Sequence, residues 1–373
     1  MTSPLEEHYG YLAIAGRAEL YQAAISQTIT PGDTIADLGC GVGVLGLQCL
    51  RAGASHIYGI DYTDAIELAR ETMLRAGLDA RYTAIRDSTF RAVLPEKVDA
   101  LICDHVGFFG FDYGIIDMVR DARVRMLKPG GAVIPRRIDP MIAGVSSDSC
   151  RALAQQWNEA DFPPEYRWLN AYARNTKHAH NIETADLCSP ALTVANVALD
   201  ADGPDRYSFK GTLEIARDCR FDGLAGWFNC ELAEGVWMTN SPLAEGHIAR
   251  SNVFLPCLQS FAVKAGDIVG VSLRFTTAGD MIAWTVTPPG GKPQKMSTWN
   301  SRILTQADLA ADAGKPPVLD RNGRARLAAL ALVDGKRTAA EIEAQVIANH
   351  PGLFPTAEEA SRFIRVELGR LGL

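Results

Sequence analysis

The chain has 373 residues, of which 47% are hydrophobic and 22% charged, with a formal net charge of -7. This length exceeds what one hydrophobic core typically supports, so we predict two or three folded domains. The acidic balance, without any lysine- or arginine-rich run, argues against binding to nucleic acid. We find no long apolar run and no secretory signal, which predicts a cytoplasmic protein that does not engage a membrane. The eight cysteines lack C-x-x-C spacing, and we expect them to be free thiols.

Residues 1–138 alternate short apolar runs with helical patterns. The runs DTIADLG, HIYGID, ARYTAI, VDALIC and GAVIP predict strands, whereas GVLGLQCLRAG, TDAIELARETMLRAG and IIDMVRDARVRML predict helices. Alternation of strands and helices at this spacing predicts an α/β fold, a Rossmann-like parallel sheet with helices on both faces.

Two further regions follow with different patterns. Residues 139–304 show period-two alternation, as in YSFKGTLEIA and DIVGVSLRF, which predicts an antiparallel β-barrel or sandwich. In residues 310–373, Thr338 with Glu341 and Thr356 with Glu359 fit the capping box that begins a helix. We therefore predict a small C-terminal helical module, joined through the stretch ADLAADAGKPP.

The segment TIADLGCGVGVLGLQCL combines a strand, a glycine loop and a helix. Gly39, Gly41 and Gly43 allow the backbone to approach a ligand, and the following helix N-terminus favours polar or anionic groups. Asp37 ends this strand and Asp61 ends the next, about 20 residues further, where a carboxylate can accept hydrogen bonds from ribose hydroxyls. The glycine spacing departs from the nicotinamide fingerprint, so the sequence favours another nucleoside cofactor.

The motif D-L-G-C-G-V-G resembles the first motif of class I S-adenosylmethionine methyltransferases. The resemblance implies S-adenosyl-L-methionine as the cofactor, with Asp87 near the adenine amine. A cap at the end of a strand is the alternative interpretation of Asp87. The predicted cofactor site comprises Arg17, Asp37, Gly39, Gly41, Gly43, Asp61, Tyr62, Asp87 and Ser88.

Three further segments resemble protein arginine methyltransferases, over roughly residues 8–290. HYGYLAIAGRAELYQAAI resembles the family's N-terminal helix, which implies that Arg17 pairs with the cofactor's carboxylate. GFFGFDYGIIDMVRDARVRMLKPGGAVIP resembles its acidic loop, helix and following strand. LAGWFNCELAEGVWMTNSPLAEGHIARSNVFLP resembles its barrel, with His247 where the family has a Thr-His-Trp turn. The alternative is a generic methyltransferase sheet attached to an unrelated β domain.

The segment DHVGFFGFDYGIID corresponds to the loop in which arginine methyltransferases carry two glutamates. Paired carboxylates match the planar fork of a guanidinium. The first glutamate aligns with Asp104, and the second with Tyr113, or with Asp112 after a shift of one residue. His105 takes the place of a tryptophan, and Ile14 the place of the aspartate that often partners the barrel histidine.

These departures leave the methyl acceptor open. The leading prediction is transfer to a guanidine or amine nitrogen of a peptide or small molecule. The alternatives are transfer to an imidazole, hydroxyl or carboxylate, and a cofactor-binding protein without turnover. A packed histidine is the alternative for His105, and a plain turn residue for His247. No metal site is predicted, because His178 and His180 alternate in the polar loop NTKHAHN and lack a third ligand. The predicted catalytic set is Asp104, His105, Asp112, Tyr113 and His247.

Two segments suggest macromolecular partners. Residues 157–181 are rich in aromatic anchor-type side chains, and in the resembled family an arm at this position closes a dimer, which implies a homodimer. Covering of the barrel end is the alternative. The stretch VDGKRTAAEI resembles small helical modules that grip a leader peptide in peptide-modification systems. A helical cap that packs on the barrel is the alternative for this module.

Overall fold

The computed structural model describes residues 4–159, 162–278, 281–304 and 318–369, together with residues 314 and 316. It contains two compact units, Met1–Arg302 and Ile303–Leu373. The stretch ADLAADAGKPP lies largely outside the described residues. No helix among the described residues is long and apolar enough to cross a membrane. All eight cysteines are free thiols, as the sequence predicted, and six of them are buried.

The first unit begins with a five-stranded parallel sheet in the order β3-β2-β1-β4-β5. Strands β1 and β2 are buried at successive positions, which is expected when a parallel sheet is covered on both faces. The α/β fold predicted from the alternating pattern is confirmed. Its strands are β1 (Thr34–Leu38), β2 (His56–Asp61), β3 (Tyr82–Arg86), β4 (Val98–Cys103) and β5 (Leu127–Ile134), and its helices are α1 (Pro4–Leu12), α2 (Arg17–Thr28), α3 (Val44–Arg51), α4 (Ala65–Arg75) and α5 (Ile115–Arg125).

Two antiparallel sheets complete this unit. One has the order β10-β14-β15-β16, and the other follows the path β7-β13-β11-β6-β8, with β9 and β12 paired at its side. The two sheets meet where the buried Trp284 donates its indole N–H to the carbonyl of Pro256 at 2.8 Å. The barrel-type region predicted from period-two alternation is confirmed. Its strands are β6 (Arg137–Val145), β7 (His178–His180), β8 (Leu192–Thr193), β9 (Val197–Ala198), β10 (Arg206–Glu214), β11 (Cys219–Ala233), β12 (Val236–Thr239), β13 (Asn252–Val263), β14 (Ile268–Thr276), β15 (Ile282–Thr287) and β16 (Gln294–Ser297).

Aromatic side chains cluster between β6 and β7, where α6 (Asp148–Gln155) and α7 (Asn170–Ala173) lie. The rings of Trp157 and Tyr166 stack with centroids 6.3 Å apart, and Trp168 is 61% exposed. Residues 160 and 161, within this predicted arm, lie outside the described residues. The two histidines predicted to lie in a polar loop instead form the edge strand β7, because its backbone pairs with β13.

The second unit contains three helices, α8 (Arg321–Leu330), α9 (Ala339–Asn349) and α10 (Ala357–Gly369). The capping box predicted for α9 is confirmed: the Thr338 hydroxyl accepts from the amide of Glu341, whose carboxylate accepts from the amide of Thr338. At the start of α10, the Thr356 hydroxyl accepts from the amide of Glu359. The helices share their own apolar core, so this tail is a folded module in its own right.

Candidate active site

The glycine loop after β1 has a conformation that suits glycine. Gly39 and Gly41 have φ values of 64° and 52°, in the left-handed region that other residues rarely adopt. A Cβ atom at Gly39 would lie 2.1 Å from Cε1 of His105, and one at Gly41 would lie 2.9 Å from Cε1 of His8. Two imidazole rings are thus packed against the loop, which only glycine permits. Gly43, at the N-terminus of α3, has a φ of 82°.

Asp61 connects the ends of the neighbouring strands β1 and β2. Its Oδ2 accepts a hydrogen bond from the amide of Gly41 at 2.9 Å. Its Oδ1 accepts from the amide and the hydroxyl of Thr63 at 2.8 and 2.7 Å. An ionised carboxylate has about four lone-pair positions, so capacity for a further donor remains on this group. Asp61 is therefore suited to accept from a ribose hydroxyl.

Asp37 lies beneath the loop and is buried. Its Oδ2 accepts from the amide of Gly46 at 2.9 Å, which ties the end of β1 to the first turn of α3. Burial raises the pKa of Asp37 to about 7. Because this carboxyl faces the helix backbone, the geometry favours a supporting role in shaping the loop over direct contact with a ligand.

The remaining predicted cofactor residues, Tyr62, Asp87 and Ser88, lie near the surface. Asp87 accepts from the amide of Ser88 at 2.7 Å and from two nitrogens of Arg91 at 2.8 and 3.0 Å. The hydrogen bond from Arg91 is the main cause that lowers the pKa of Asp87. Tyr62 is 75% exposed. These contacts fit the cap interpretation of Asp87, and its role toward adenine stays a prediction.

Helix α2 delivers two side chains to the end of β4. Arg17 Nε donates to Asp104 Oδ2 at 2.5 Å, and its Nη2 forms an ion pair with the same oxygen. The hydroxyl of Tyr21 lies 2.9 Å from Asp104 Oδ1 and 3.0 Å from the carbonyl of Cys103. Burial raises the pKa of Tyr21 far above its usual value, so the phenol remains a donor. Asp104 therefore connects the predicted cofactor residue Arg17 to the acidic loop.

Asp112 holds the acidic loop together. Its Oδ2 accepts from the amides of Phe108 and Phe109 at 2.7 and 2.5 Å, while its Oδ1 forms an ion pair with Lys177. Only 1% of this side chain is exposed. A carboxylate so enclosed is inaccessible to an acceptor, and the geometry favours a structural role for Asp112 over the clamp predicted from the sequence.

His105 and Tyr113 line the space between the glycine loop and the acidic loop. The His105 ring packs on Gly39 and places Nδ1 3.6 Å from the Sγ of Cys103. Burial is the main cause that lowers the pKa of His105, so this imidazole is neutral at neutral pH. Tyr113 meets the His105 ring edge-to-face at a centroid distance of 6.5 Å and is partly exposed.

The barrel turn before β13 contacts the acidic loop through Arg250, which was not predicted from the sequence, and not through His247. His247 is exposed and donates from Nδ1 to the carbonyl of Ala244 at 2.8 Å. Three residues later, the guanidinium carbon of Arg250 lies 5.3 Å from the ring centroid of Phe108 and 5.1 Å from that of Tyr11. An arginine directly before the apolar strand SNVFLP was the available signal for this contact.

Asn240 fixes the position of this turn. Its side-chain amide donates to the carbonyls of Phe108 and Ser251 at 2.9 and 2.8 Å, and its oxygen accepts from the amide of Phe228 at 2.9 Å. The residue is 1% exposed. One buried side chain thus ties the acidic loop, β11 and the start of β13 together. Like Lys177, it was not predicted, since its partners are distant in sequence.

Comparisons with known proteins find relatives among methyltransferases. The family model of ribosomal protein L11 methyltransferase (PrmA) matches residues 19–138. The chain is 28% identical over 159 residues to protein arginine N-methyltransferase 6 of Xenopus laevis, covering 42% of this chain and 47% of that protein. It is 30% identical over 234 residues to protein arginine N-methyltransferase 1 of Dictyostelium discoideum, covering 59% and 66%. The chain thus spans between about half and two thirds of the length of these two relatives.

Two solved structures share the fold. The Trypanosoma brucei PRMT1 enzyme-prozyme heterotetrameric complex with AdoHcy superposes with a TM-score of 0.66 at 17% identity, covering 75% of this chain and 94% of that one. Protein arginine methyltransferase 10 of Arabidopsis thaliana gives 0.66 at 18% identity, with coverage of 77% and 96%. The resemblance predicted from the sequence is confirmed: the chain is protein arginine methyltransferase-like in sequence and fold.

Proposed function

We propose that this protein arginine methyltransferase-like chain is an S-adenosyl-L-methionine-dependent methyltransferase that acts on a guanidine or amine nitrogen of a peptide or small molecule. One observation carries the proposal: the glycine loop, Asp61 and Asp104 meet at the carboxyl ends of the adjacent strands β1, β2 and β4. Ligands of open α/β sheets bind at this edge. The names of the relatives support the reaction, and AdoHcy in the Trypanosoma brucei complex supports the cofactor.

The residues of the glycine loop fit such a cofactor. The left-handed φ values of Gly39 and Gly41 shape the loop between β1 and α3, and Asp61 retains capacity to accept from a ribose hydroxyl. When bound, the cofactor supplies an electrophilic methyl group on a sulfonium. The chain's task is then to orient the nucleophile in line with that methyl and to exclude water.

Asp104 is the group that would hold a cationic acceptor. Its side chain is 8% exposed, and its charge is balanced by Arg17. A carboxylate in so dry a position interacts strongly with charge that changes during reaction. A guanidine or amine that approaches the end of β4 would exchange charge partners with Arg17. Since Asp112 is enclosed, this acceptor contact differs from a clamp made by two carboxylates.

A second acceptor class is favoured by His105. This imidazole is neutral at neutral pH and lies between the glycine loop and Tyr113. A neutral imidazole can accept a proton from a hydroxyl or from an imidazole, which are nucleophiles that lose a proton during methyl transfer. Incubation of cell extract with the protein and deuteromethyl-labelled cofactor tests the choice, since fragmentation in the mass spectrometer identifies whether a guanidine, amine, imidazole or oxygen carries the label.

Two surfaces, the aromatic arm and the C-terminal module, are suited to bind other chains. Aromatic side chains of the arm, including the exposed Trp168 and Tyr166, provide anchors for a second copy of the chain, and the Trypanosoma brucei relative forms a heterotetramer. The C-terminal module would contact a leader peptide. A cytoplasmic location completes the proposal.

Cofactor binding is tested by replacing Asp61 with alanine. The variant leaves ribose hydroxyls without their acceptor and releases the amide of Gly41, so affinity for S-adenosylhomocysteine should fall by about 1–3 kcal/mol, or roughly 5- to 150-fold. Isothermal titration calorimetry measures this loss. Asp64→Ala is the matched control, because Asp64 is 83% exposed and pairs with Arg86. Equal affinities in both variants would refute the cofactor assignment.

A further inference from the structure

Arg250 is a cation whose own chain leaves it incompletely paired. Its Nε and Nη1 are buried, and neither has a hydrogen-bond acceptor among the residues that the structure describes. Its Nη2 is 3.4 Å from the hydroxyl of Tyr11, which is a long hydrogen bond. A buried charged group without acceptors is costly. The arrangement is therefore suited to an additional anionic partner.

The guanidinium is held in place rather than free to move into solvent. It lies against the rings of Tyr11 and Phe108, each about 5 Å from its central carbon. The amide of Arg250 donates to the carbonyl of Ile248 at 2.7 Å, and Asn240 fixes the neighbouring Ser251. Aromatic contacts satisfy the faces of the guanidinium plane, whereas an anion is needed at its edge.

The carboxylates of the cleft are bound to other donors. Asp104 accepts from Arg17 and Tyr21, and Asp112 accepts from the acidic loop and from Lys177. Asp61 accepts from the glycine loop. None of these hydrogen bonds or ion pairs involves Arg250, whose positive charge is therefore not balanced by the groups that form the site.

Arg250 also lies close enough to His105, a residue of the predicted catalytic set, to affect its pKa. Burial is the main cause of the lowered pKa of His105, and the charge of Arg250 adds to it. Arg250 also acts on the hydroxyl of Tyr113 through its charge and a hydrogen bond, both of which oppose the burial that raises the pKa of Tyr113. A ligand that extends from the cofactor site toward the acidic loop passes this cation.

We propose that Arg250 binds a carboxylate of the ligands in this cleft, through Nε or Nη1 of its guanidinium, which have no acceptor among the described residues. The inference rests on the proposed methyltransferase function and specifies the ligand class. The carboxylate belongs either to the amino-acid part of the cofactor or to the acceptor. In the second case the acceptor is an amino acid or a carboxylate-bearing peptide, and its decarboxylated amine is a poor substrate.

Binding measurements on the full chain separate the two sources. In the first arm, calorimetry compares S-adenosylhomocysteine with 5'-methylthioadenosine, which lacks the carboxylate. In the second arm, protein saturated with S-adenosylhomocysteine is titrated with L-arginine and with agmatine, its decarboxylated counterpart. Each arm is run with the wild type and with Arg250→Gln, Arg250→Lys and Arg151→Gln, the last being a control whose guanidinium pairs with Asp148 of helix α6.

In one of the two arms, we expect Arg250→Gln to lose about 10- to 100-fold in affinity for the probe with a carboxylate, S-adenosylhomocysteine or L-arginine, because a charge-assisted bidentate contact is lost. The matched probe without the carboxylate, 5'-methylthioadenosine or agmatine, should bind normally. Arg250→Lys should fall between, because lysine keeps the charge but not the fork. Normal binding of the matched probe also shows that the variant is folded. A loss in the first arm assigns the carboxylate to the cofactor, and a loss in the second assigns it to the acceptor.

An unchanged preference for the carboxylate in both arms overturns the inference and leaves the proposed function intact. Absence of S-adenosylhomocysteine binding to the wild type refutes the proposed function instead. In that case the second arm is run without S-adenosylhomocysteine. If the wild type and Arg250→Gln bind L-arginine equally well, or if neither of them binds it, the inference about Arg250 is overturned as well.

Discussion

The two sides of the cleft use different sources of polar contacts. On the side of the glycine loop, Asp37 and Asp61 accept from backbone amides within about 20 residues along the chain. On the side of the acidic loop, Asp112 pairs with Lys177, 65 residues away, and Asn240 binds the carbonyl of Phe108 across 132 residues. The first side is therefore a local structure that many ligand-binding loops could share, whereas the second depends on the barrel. The acidic loop should respond to changes in barrel residues, and the contacts of Asp37 and Asp61 in the glycine loop should not.

The strongest test of this contrast is Asp104→Asn, which keeps the shape of the side chain and removes its charge. We expect methyl transfer to fall by about 100-fold or more, because a charge in a dry position is lost. Arg17 would remain buried without its anion, so the free energy of unfolding should fall by about 3–5 kcal/mol. Initial rates and denaturant titrations measure the two effects.

Tyr21→Phe is the control for Asp104, since it removes one hydrogen bond and keeps the ion pair with Arg17. Its rate should fall by less than tenfold. Affinity for S-adenosylhomocysteine should change little in either variant, because Gly41 and Asp61 are retained. Normal turnover of Asp104→Asn together with weakened cofactor binding would show that Asp104 contributes to the cofactor site and not to acceptor binding.

A structural role for Asp112 predicts rescue by a second substitution. Asp112→Asn alone leaves the ammonium of Lys177 facing an amide, and we expect a loss of about 2–3 kcal/mol in stability and about tenfold in transfer rate. Lys177→Gln added to it removes the unpaired charge and should restore most of both losses. A double-mutant cycle measures the coupling. If the double variant stays as slow as Asp112→Asn, the carboxylate itself acts on the acceptor.

Asp37 gives the cofactor side a distinct pH dependence. Its pKa is raised from 3.8 to about 7 by burial, so the folded state holds this proton more tightly than the unfolded chain. The stabilisation is fully present below about pH 4 and is lost as the pH rises toward 7, by roughly 4 kcal/mol in total.

Denaturant titrations at pH 4.5 and 7.5 check this dependence. Asp37→Asn should lose less stability than the wild type over that interval, since asparagine does not ionise. Parallel losses in the two proteins would show that Asp37 does not titrate between these values.

The smallest effect is expected at His247. Its side chain is exposed and bonds within its own turn, so His247→Ala should change stability by less than about 0.5 kcal/mol and the transfer rate by about twofold at most. The same measurements of stability and transfer rate on Arg250→Gln compare the two residues of the turn directly. A loss above tenfold in His247→Ala alone would return this histidine to the catalytic set.

Much of the fold followed from the sequence because its signals are local. Strand alternation, helix caps and the glycine loop each depend on residues a few positions apart, and the strands and helices predicted for residues 34–134 are present. The edge strand β7 was taken for a loop, since HAH is too short to show a pattern and owes its form to pairing with β13.

The site was less predictable for the same physical reason. Spacing alone placed Asp61 beside the glycine loop and Asp104 at the end of β4. It could not show that Asp112 is enclosed, because that depends on Lys177, nor that Arg250 rather than His247 contacts Phe108. Side chains whose partners lie in another domain leave no local signature.

The three hydrogen bonds of Asn240 bear on how such a site could be remodelled. An acidic loop transplanted from a relative would have to present a carbonyl where Phe108 does, or a buried amide would lose an acceptor. The loop, the turn before β13 and the middle of β11 are thus best exchanged as one cassette. Chimaeras that carry all three segments should fold and change acceptor, whereas single-segment swaps should lose stability first.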